Sequence, residues 1–324
     1  MNLQDRKPTR RNFLSHWTRW TAGAAALFSG THAPGSYAAP GFTKHQINEK
    51  DPGTLRVAAC QILAYSDVAK STTKILHWIE RAAKDNVDVI SFPEACLCGY
   101  AGGNYWKTAR PEDFMRGEQQ VIAASKQYNI AVILGTVHWE GDKIYNDQLV
   151  IDKGGKVRGR YSKTFLAEGW PVPGKALPVY PVAKVPSCFI ICHDVRYPEL
   201  VRLPAIAGAQ ICYFSSHESG LTRDDKLSAY QAMPIARATE NSIFCVMSNA
   251  PTDRKTFRGS HGNSKIIHPD GNVLIEAGFF EERLVTATIR VKDATRGIAR
   301  RTVNEETILK SWIKKGADLV TVYD

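Results

Sequence analysis

Across its 324 residues the chain has no run of about 20 consecutive apolar residues, the length a membrane-spanning helix needs. It also lacks GxGxxG, GxxxxGK(S/T), HExxH and GxSxG. Dinucleotide-binding, P-loop, zincin and serine-esterase readings therefore have no residues to rest on. Cysteine is present at Cys60, Cys96, Cys98, Cys188, Cys192, Cys212 and Cys245, but no CxxC is. An odd count, with most of these thiols inside apolar runs, argues against a disulfide framework and for buried thiols plus one functional cysteine. No repeat of fixed period and no low-complexity linker interrupts the chain. With 44% hydrophobic and 23% charged residues and a mean hydropathy of -0.27, disordered and collagen-like classes are excluded, and one sizeable core is expected.

Two short matches carry little. Ser71-Thr72-Thr73-Lys74 fits SxxK, yet neither SDN nor KTG follows it. His261 and His268 could be grouped with Cys192-His193 as metal ligands, but no ligand spacing supports it, and histidines on a hairpin face are the plainer reading.

A net charge of +10 invites nucleic acid or a membrane surface as partner. Its distribution argues otherwise. Residues 1–38 hold Arg6, Lys7, Arg10, Arg11 and Arg19 against Asp5 alone, which is +4 of the total; the other 37 basic and 31 acidic residues leave +6 over 286 positions, with no basic run. The first 38 residues read as an export signal: a basic start, an Ala-rich apolar stretch from Thr21 to Ser29, helix-breaking Gly30, Pro34 and Gly35, and small-x-small Ser36-Tyr37-Ala38 before an expected cut. Thr9-Arg10-Arg11-Asn12-Phe13-Leu14 resembles the twin-arginine signal. The expected organisation is therefore a signal over 1–38, a linker over 39–54 and one domain over 55–324, with the mature protein periplasmic or otherwise exported and the twin-arginine machinery as the precursor's partner.

From Leu55 onward short branched runs alternate with helical patterns. Strands are expected over Leu55–Ile62, Val87–Phe92, Ile130–His138, Ile144–Ile151 and Val157–Tyr161, and helices over Asp67–Asp85 and Pro111–Tyr128. In the second half strands are expected over Cys188–Cys192, Ile211–Ser215, Ile243–Ser248 and Leu284–Ile289, with a hairpin of Lys265–His268 and Val273–Glu276. Helices are expected over Pro198–Ala207, Asp224–Asn241 and Glu305–Lys314. The class is α/β, with sheets covered by helices.

Three segments put an ionisable or reactive residue at the end of an apolar strand, where an open α/β sheet offers its site. Ile90-Ser91-Phe92-Pro93 runs into Glu94 and then Cys96, Cys98 and Gly99-Tyr100. Arg160-Tyr161-Ser162-Lys163 is followed by Glu168 and Pro173-Gly174. Phe189-Ile190-Ile191 runs into Cys192-His193-Asp194-Val195-Arg196-Tyr197-Pro198-Glu199. A thiol at a strand-to-helix turn near an acid and a cation is a reasonable covalent catalyst. The carboxylate of Glu94 can take and return its proton, and Lys163 with the backbone N–H of His193 can stabilise an oxyanion. Cys96 and Cys98 rival Cys192 only by their proximity to Glu94. Cys188, four residues before Cys192, is expected on the same side of its strand by the period of two.

Taken in order, these segments resemble the nitrilase superfamily of carbon-nitrogen hydrolases, as do Ala236-Arg237-Ala238-Thr239-Glu240-Asn241 and Ile266–Leu274. The resemblance spans about residues 55 to 290. It implies a four-layer α-β-β-α sandwich, a Glu94-Lys163-Cys192 catalytic set, and a second glutamate beside the lysine, assigned to Glu168 although it stands nearer the lysine than in many members. It also implies a homodimer or higher homo-oligomer, with no metal, nucleotide or flavin. The C-x-D-x-R-x-P-E form of the Cys192 segment tilts toward amides or N-carbamoyl compounds as small-molecule substrates. A nitrilase is the alternative within the fold, and a non-catalytic exported polyanion-binding protein the alternative outside it. Arg196 matches the family arginine that in some members meets a substrate carboxylate, with an ion pair to Glu199 as the other reading. His217 falls where pocket-lining residues are expected.

Overall fold

The computed structural model describes residues 53–100, 105–218, 227–256 and 259–324. The export signal over 1–38, the expected cut after Ala38 and nearly all of the 39–54 linker lie outside the described residues. No described helix is long and apolar enough to cross a membrane.

The first half forms β1 (Thr54–Gln61), α1 (Val68–Lys84), β2 (Val89–Ser91), α2 (Pro111–Tyr128), β3 (Ala131–Glu140), β4 (Lys143–Asp152) and β5 (Lys156–Ser162). Both helices carry their punctuation in sequence. Asp67 caps α1 by accepting the Lys70 N–H at 3.1 Å; α2 opens on Pro111 with Glu112 and Asp113 in its first turn and stops at Asn129 in the left-handed conformation. The second half forms β6 (Leu177–Val182), β7 (Val185–Ile191), α3 (Glu199–Ala207), β8 (Ile211–Ser216), α4 (Leu227–Thr239) and β9 (Phe244–Asn249). It continues through β10 (Lys265–Ile267), β11 (Val273–Glu276), β12 (Arg283–Arg290), α5 (Gly297–Asn304), α6 (Lys310–Ala317) and β13 (Val320–Val322).

The strands build two mixed sheets, ordered β12-β1-β2-β3-β4-β5 and β11-β10-β9-β8-β7-β6-β13. Parallel pairings β1-β2-β3 and β7-β8-β9 lie at the centres, so the carboxyl ends of β2, β7 and β8 each open onto a loop. Side-chain alternation makes the layers. Val57, Val89, Ile133, Phe189, Tyr213 and Val246 form a middle core, while Ala58, Cys60 and Ile90 pack under Ile75 and Ile79 of α1. Ile190, Phe214 and Met247 pack under Leu200 and Val201 of α3 and Ala238 of α4. The result is the expected α-β-β-α sandwich.

The structure adds to or differs from the sequence reading in four places. β6 was not expected, because Pro178 and Pro181 disguise it; it nonetheless pairs with β7 on one side and β13 on the other. The helix expected over Glu305–Lys314 begins only at Lys310 and runs to Ala317, and a separate helix, α5, precedes it; Glu305 between them is extended, and Ala299 and Ile313 are the buried residues of the two helices. The long helix expected over Asp224–Asn241 ends at Thr239, and its expected first residues, 224–226, lie outside the described residues. Cys188 does not share the side of Cys192: it lies in the outer core beneath α3, whereas Cys192 lies in the middle core. The period of two fails there because β7 ends at Ile191 and Cys192 has φ 46°, which reverses the chain.

Candidate active site

Glu94 reaches its place because the chain after β2 lies against β3. A Cβ on Gly135 of β3 would sit 1.9 Å from the Pro93 carbonyl oxygen, so only glycine admits this approach. The Glu94 N–H donates to the Ser216 carbonyl at 3.3 Å, which ties the turn to the end of β8 in the other sheet. The side chain is 1% exposed. Its Oε1 accepts from Asn146 Nδ2 at 2.7 Å and from Lys163 Nζ at 2.8 Å, whereas its Oε2 has no hydrogen-bond partner. Burial, opposed by the Lys163 ammonium, pushes the carboxyl up to about 7.

Lys163 follows β5. Its N–H donates to the Asn146 carbonyl at 2.8 Å, and its own carbonyl accepts from Gly174 at 2.8 Å. Gly174 is the glycine of the Pro-Gly turn noted in the sequence, and a Cβ there would lie 2.2 Å from the Ser162 carbonyl oxygen. The fully buried ammonium donates to Glu94 and, at 2.5 Å, to Glu168 Oε1. Burial alone would lower its pKa, but Cys192, Glu94 and Glu168 together raise it. Glu168 also accepts from the Tyr100 hydroxyl and from the Ala167 N–H; against burial, Lys163 and these donors hold its carboxyl below the usual range. The short spacing from Lys163 thus still brings the two side chains together.

Cys192 opens a tight helical turn. Asp194 builds that turn by accepting the Ile191 N–H at 3.1 Å, and it joins the turn to the lysine loop through the Phe165 N–H at 2.8 Å and the Tyr161 hydroxyl at 2.7 Å. Cys192 is in left-handed backbone, a conformation that costs a non-glycine residue about 1–2 kcal/mol. The Glu94, Glu168 and Cys192 ligand atoms all lie within 4.8 Å of one another. Such a cluster could suit a cation, but the Lys163 ammonium already bonds both carboxylates. Burial, with Glu218 and Glu94 adding to it against Lys163, pushes the Cys192 thiol well up. The resting group is therefore a thiol, and its proton needs an acceptor at the moment of attack.

The remaining expected residues are more scattered. The His193 ring packs edge-on to Tyr197, and its backbone N–H is the first after the nucleophile. The His217 ring stacks on Tyr100 at 4.9 Å, its carbonyl lies 4.0 Å from Cys192 Sγ, and burial and Lys163 bring its pKa down to about 4, so the ring is neutral. Arg196 does not pair with Glu199; it donates to the Tyr230 hydroxyl at 3.3 Å and lies over that ring. Cys96 and Cys98 pack in the core under α1 and α2, and burial pushes Cys96 above the ordinary thiol range. His261 stands near Asn249, and His268 beside Asp270 and Asp293.

Sequence reading missed Asn146, the structural role of Asp194, and Glu218 with Tyr230. Asn146-Asp147-Gln148 is a run of three buried polar residues in mid-strand, and that run is the signal that could have flagged Asn146. Glu218, 4% exposed, follows β8 and accepts from Ser216 Oγ at 3.0 Å. No motif precedes it.

A four-layer sandwich with a thiol, an ammonium and carboxylates at its strand ends has the parts of a hydrolase that works through cysteine. The carbon-nitrogen hydrolase family model matches residues 56–298, and the chain belongs to that family. The chain is similar to the 2-oxoglutaramate amidase of Bacillus subtilis, 28% identical over 72% of this chain and 89% of that protein. It is also similar to an (R)-stereoselective amidase of Pseudomonas, 30% identical over 68% of this chain and 79% of that protein. Among solved structures, a cysteine-to-alanine mutant of the Nesterenkonia AN1 amidase from the nitrilase superfamily superposes with a TM-score of 0.68 at 23% identity. The match covers 76% of this chain and 95% of that one, a likeness of fold.

Proposed function

We propose that this carbon-nitrogen hydrolase is an amidase that cleaves small carboxamides or N-carbamoyl compounds through a Cys192 acyl-enzyme. The observation that carries the proposal is the divided Glu94 carboxylate beside the thiol: Oε1 is held by Asn146 and Lys163, Oε2 is buried and unpaired, and a carboxylate oxygen of Glu94 lies within 4.8 Å of Cys192 Sγ. The amidase names of the relatives support the choice of amides over nitriles.

In the mechanism this supports, Cys192 Sγ attacks the carbonyl carbon while its proton passes to Glu94. The carbonyl oxygen becomes an oxyanion facing the Lys163 ammonium and the His193 N–H. Glu94 then delivers the proton to the nitrogen, the C–N bond breaks, and ammonia or an amine departs, leaving a thioester. Water attacks the thioester carbon and gives a proton to Glu94. Collapse releases the acid, and the proton returns to sulfur. Glu168 holds Lys163 on its far side, which keeps the ammonium charged and aimed.

The test is ammonia release from a panel of aliphatic amides, N-carbamoyl amino acids and nitriles, with Cys192→Ser as control. Turnover of amides that disappears in the variant is expected; turnover confined to nitriles, or unchanged in the variant, would remove the proposal. Export through the twin-arginine route to the periplasm is proposed on the Thr9–Leu14 motif, and assembly as a homodimer or larger on the family resemblance. Light scattering reads the assembly.

A further inference from the structure

Around the Cys192 thiol stand three carboxylates and one ammonium. Glu94 and Glu168 share Lys163, but Glu218 does not contact it. Glu218 meets the Ser216 hydroxyl at 3.0 Å, and among the described residues it also faces the Tyr230 hydroxyl and the Cys192 thiol, with the Lys163 ammonium acting on it without contact. Among the described residues no cation contacts it directly. Arg196 stops one group short: it is exposed, donates to the Tyr230 hydroxyl, and lies over the Tyr230 ring at 5.1 Å from the centroid. A buried carboxyl without a cation is costly unless something completes it. The chain after β8 flanks the thiol, with the His217 carbonyl 4.0 Å from Cys192 Sγ and Glu218 beside it, so a group attached to a carbonyl under attack by Cys192 would meet Glu218.

Building on the amidase reading, we propose that Glu218 sets the substrate class: it favours amides that carry an ammonium group a few atoms from the scissile carbonyl and disfavours those that carry a carboxylate there. An ammonium at that point supplies the missing counter-charge. A carboxylate would add a further negative charge to a dry site already rich in them, where like charges repel far more strongly than in water. Arg196 offsets this only in part, because it is exposed and held by the Tyr230 hydroxyl and makes no ion pair with Glu218. Glu218 is thereby a specificity residue, not a participant in the proton transfers.

Three amides of matched length separate the possibilities: β-alaninamide with its ammonium, butyramide, and succinamate with its carboxylate. In the wild-type protein kcat/KM is expected to fall in that order, with β-alaninamide ahead of succinamate by about a hundredfold. Glu218→Gln, which keeps the shape and the bond from Ser216, is expected to shrink that ratio at least about tenfold, and Glu218→Asp to restore part of it. A merely structural role for Glu218 would depress all three substrates alike and leave the ratio unchanged, which overturns the inference. So does a wild-type protein that prefers succinamate to butyramide, a result measured without any variant. Failure to hydrolyse even butyramide would instead remove the amidase reading beneath it.

Discussion

Two buried glutamates of the first sheet's layers each meet a cation, and they differ in what is left over. Glu118 of α2 binds Arg160 through both oxygens, at 3.0 and 2.5 Å, and Oε1 also accepts from Thr136 at 2.8 Å, so the whole carboxylate is occupied. Glu94 binds Lys163 and Asn146 through one oxygen only. Strand β4 serves both arrangements with adjacent residues. Asp147 turns outward to His138 and Arg160, and Asn146 turns inward to Glu94. Arginine's planar fork saturates a carboxylate, whereas lysine's point charge leaves half of it open. A buried ion pair therefore does not mark chemistry in this molecule. An incompletely satisfied one beside a thiol does.

The contrast can be broken by experiment. The largest effect is expected from Cys192→Ser, a loss of amide turnover of about 10⁴-fold or more with the thermal transition essentially unmoved. Glu94→Gln is expected to cost about 10³-fold in kcat/KM. Glu118→Gln should instead leave turnover within about threefold and lose about 2 kcal/mol of stability to chemical denaturation, less than a fully buried pair because Arg160 is partly exposed. Comparable activity losses in both glutamine variants would erase the distinction.

The acid limb of the pH profile sharpens it further. Glu94 accepts a proton only when ionised, and its pKa is raised to about 7, so kcat/KM should rise with pH through that value in the wild type. The limb should persist in Glu118→Gln. A limb in the ordinary carboxylate range would instead mean that another group takes the thiol proton. Next in size is Asp194→Asn, which weakens the acceptor holding the Ile191 and Phe165 N–H groups and is expected to cost about tenfold in turnover through a misplaced Cys192. The smallest effect is expected from Cys188→Ala, with turnover within about twofold and about 1 kcal/mol of stability lost, because this thiol packs beneath α3. Separately, lysines in place of Arg10 and Arg11 should keep the protein out of the exported fraction; unchanged export would remove the twin-arginine proposal.

The central strands and the first two helices were legible because their signals are local: a period of two or 3.6, Asp67 as a cap, Pro111 at a helix start, Asn129 at a helix end. Glu94, Lys163 and Cys192 were legible as residues at strand ends and Glu168 through the family resemblance, and two of the surrounding glycines have a reason that only backbone contact reveals, in Pro93 against Gly135 and Ser162 against Gly174. β6 and β13 were not legible, because prolines and a short terminal run give no periodic signal and pairing alone makes them strands.

By itself the sequence determined the alternation of strands and helices, the family to which the motifs point, and which side chains could do acid, base and thiol chemistry, since all of these depend on residue type and spacing. Only the tertiary structure decided which oxygen of Glu94 stays unpaired, that Cys188 faces away from Cys192, and that Arg196 is held by Tyr230 while Glu218 stands buried beside the thiol. Those outcomes depend on contacts between residues far apart in the chain and on one reversed backbone angle at Cys192, which spacing along the sequence does not encode.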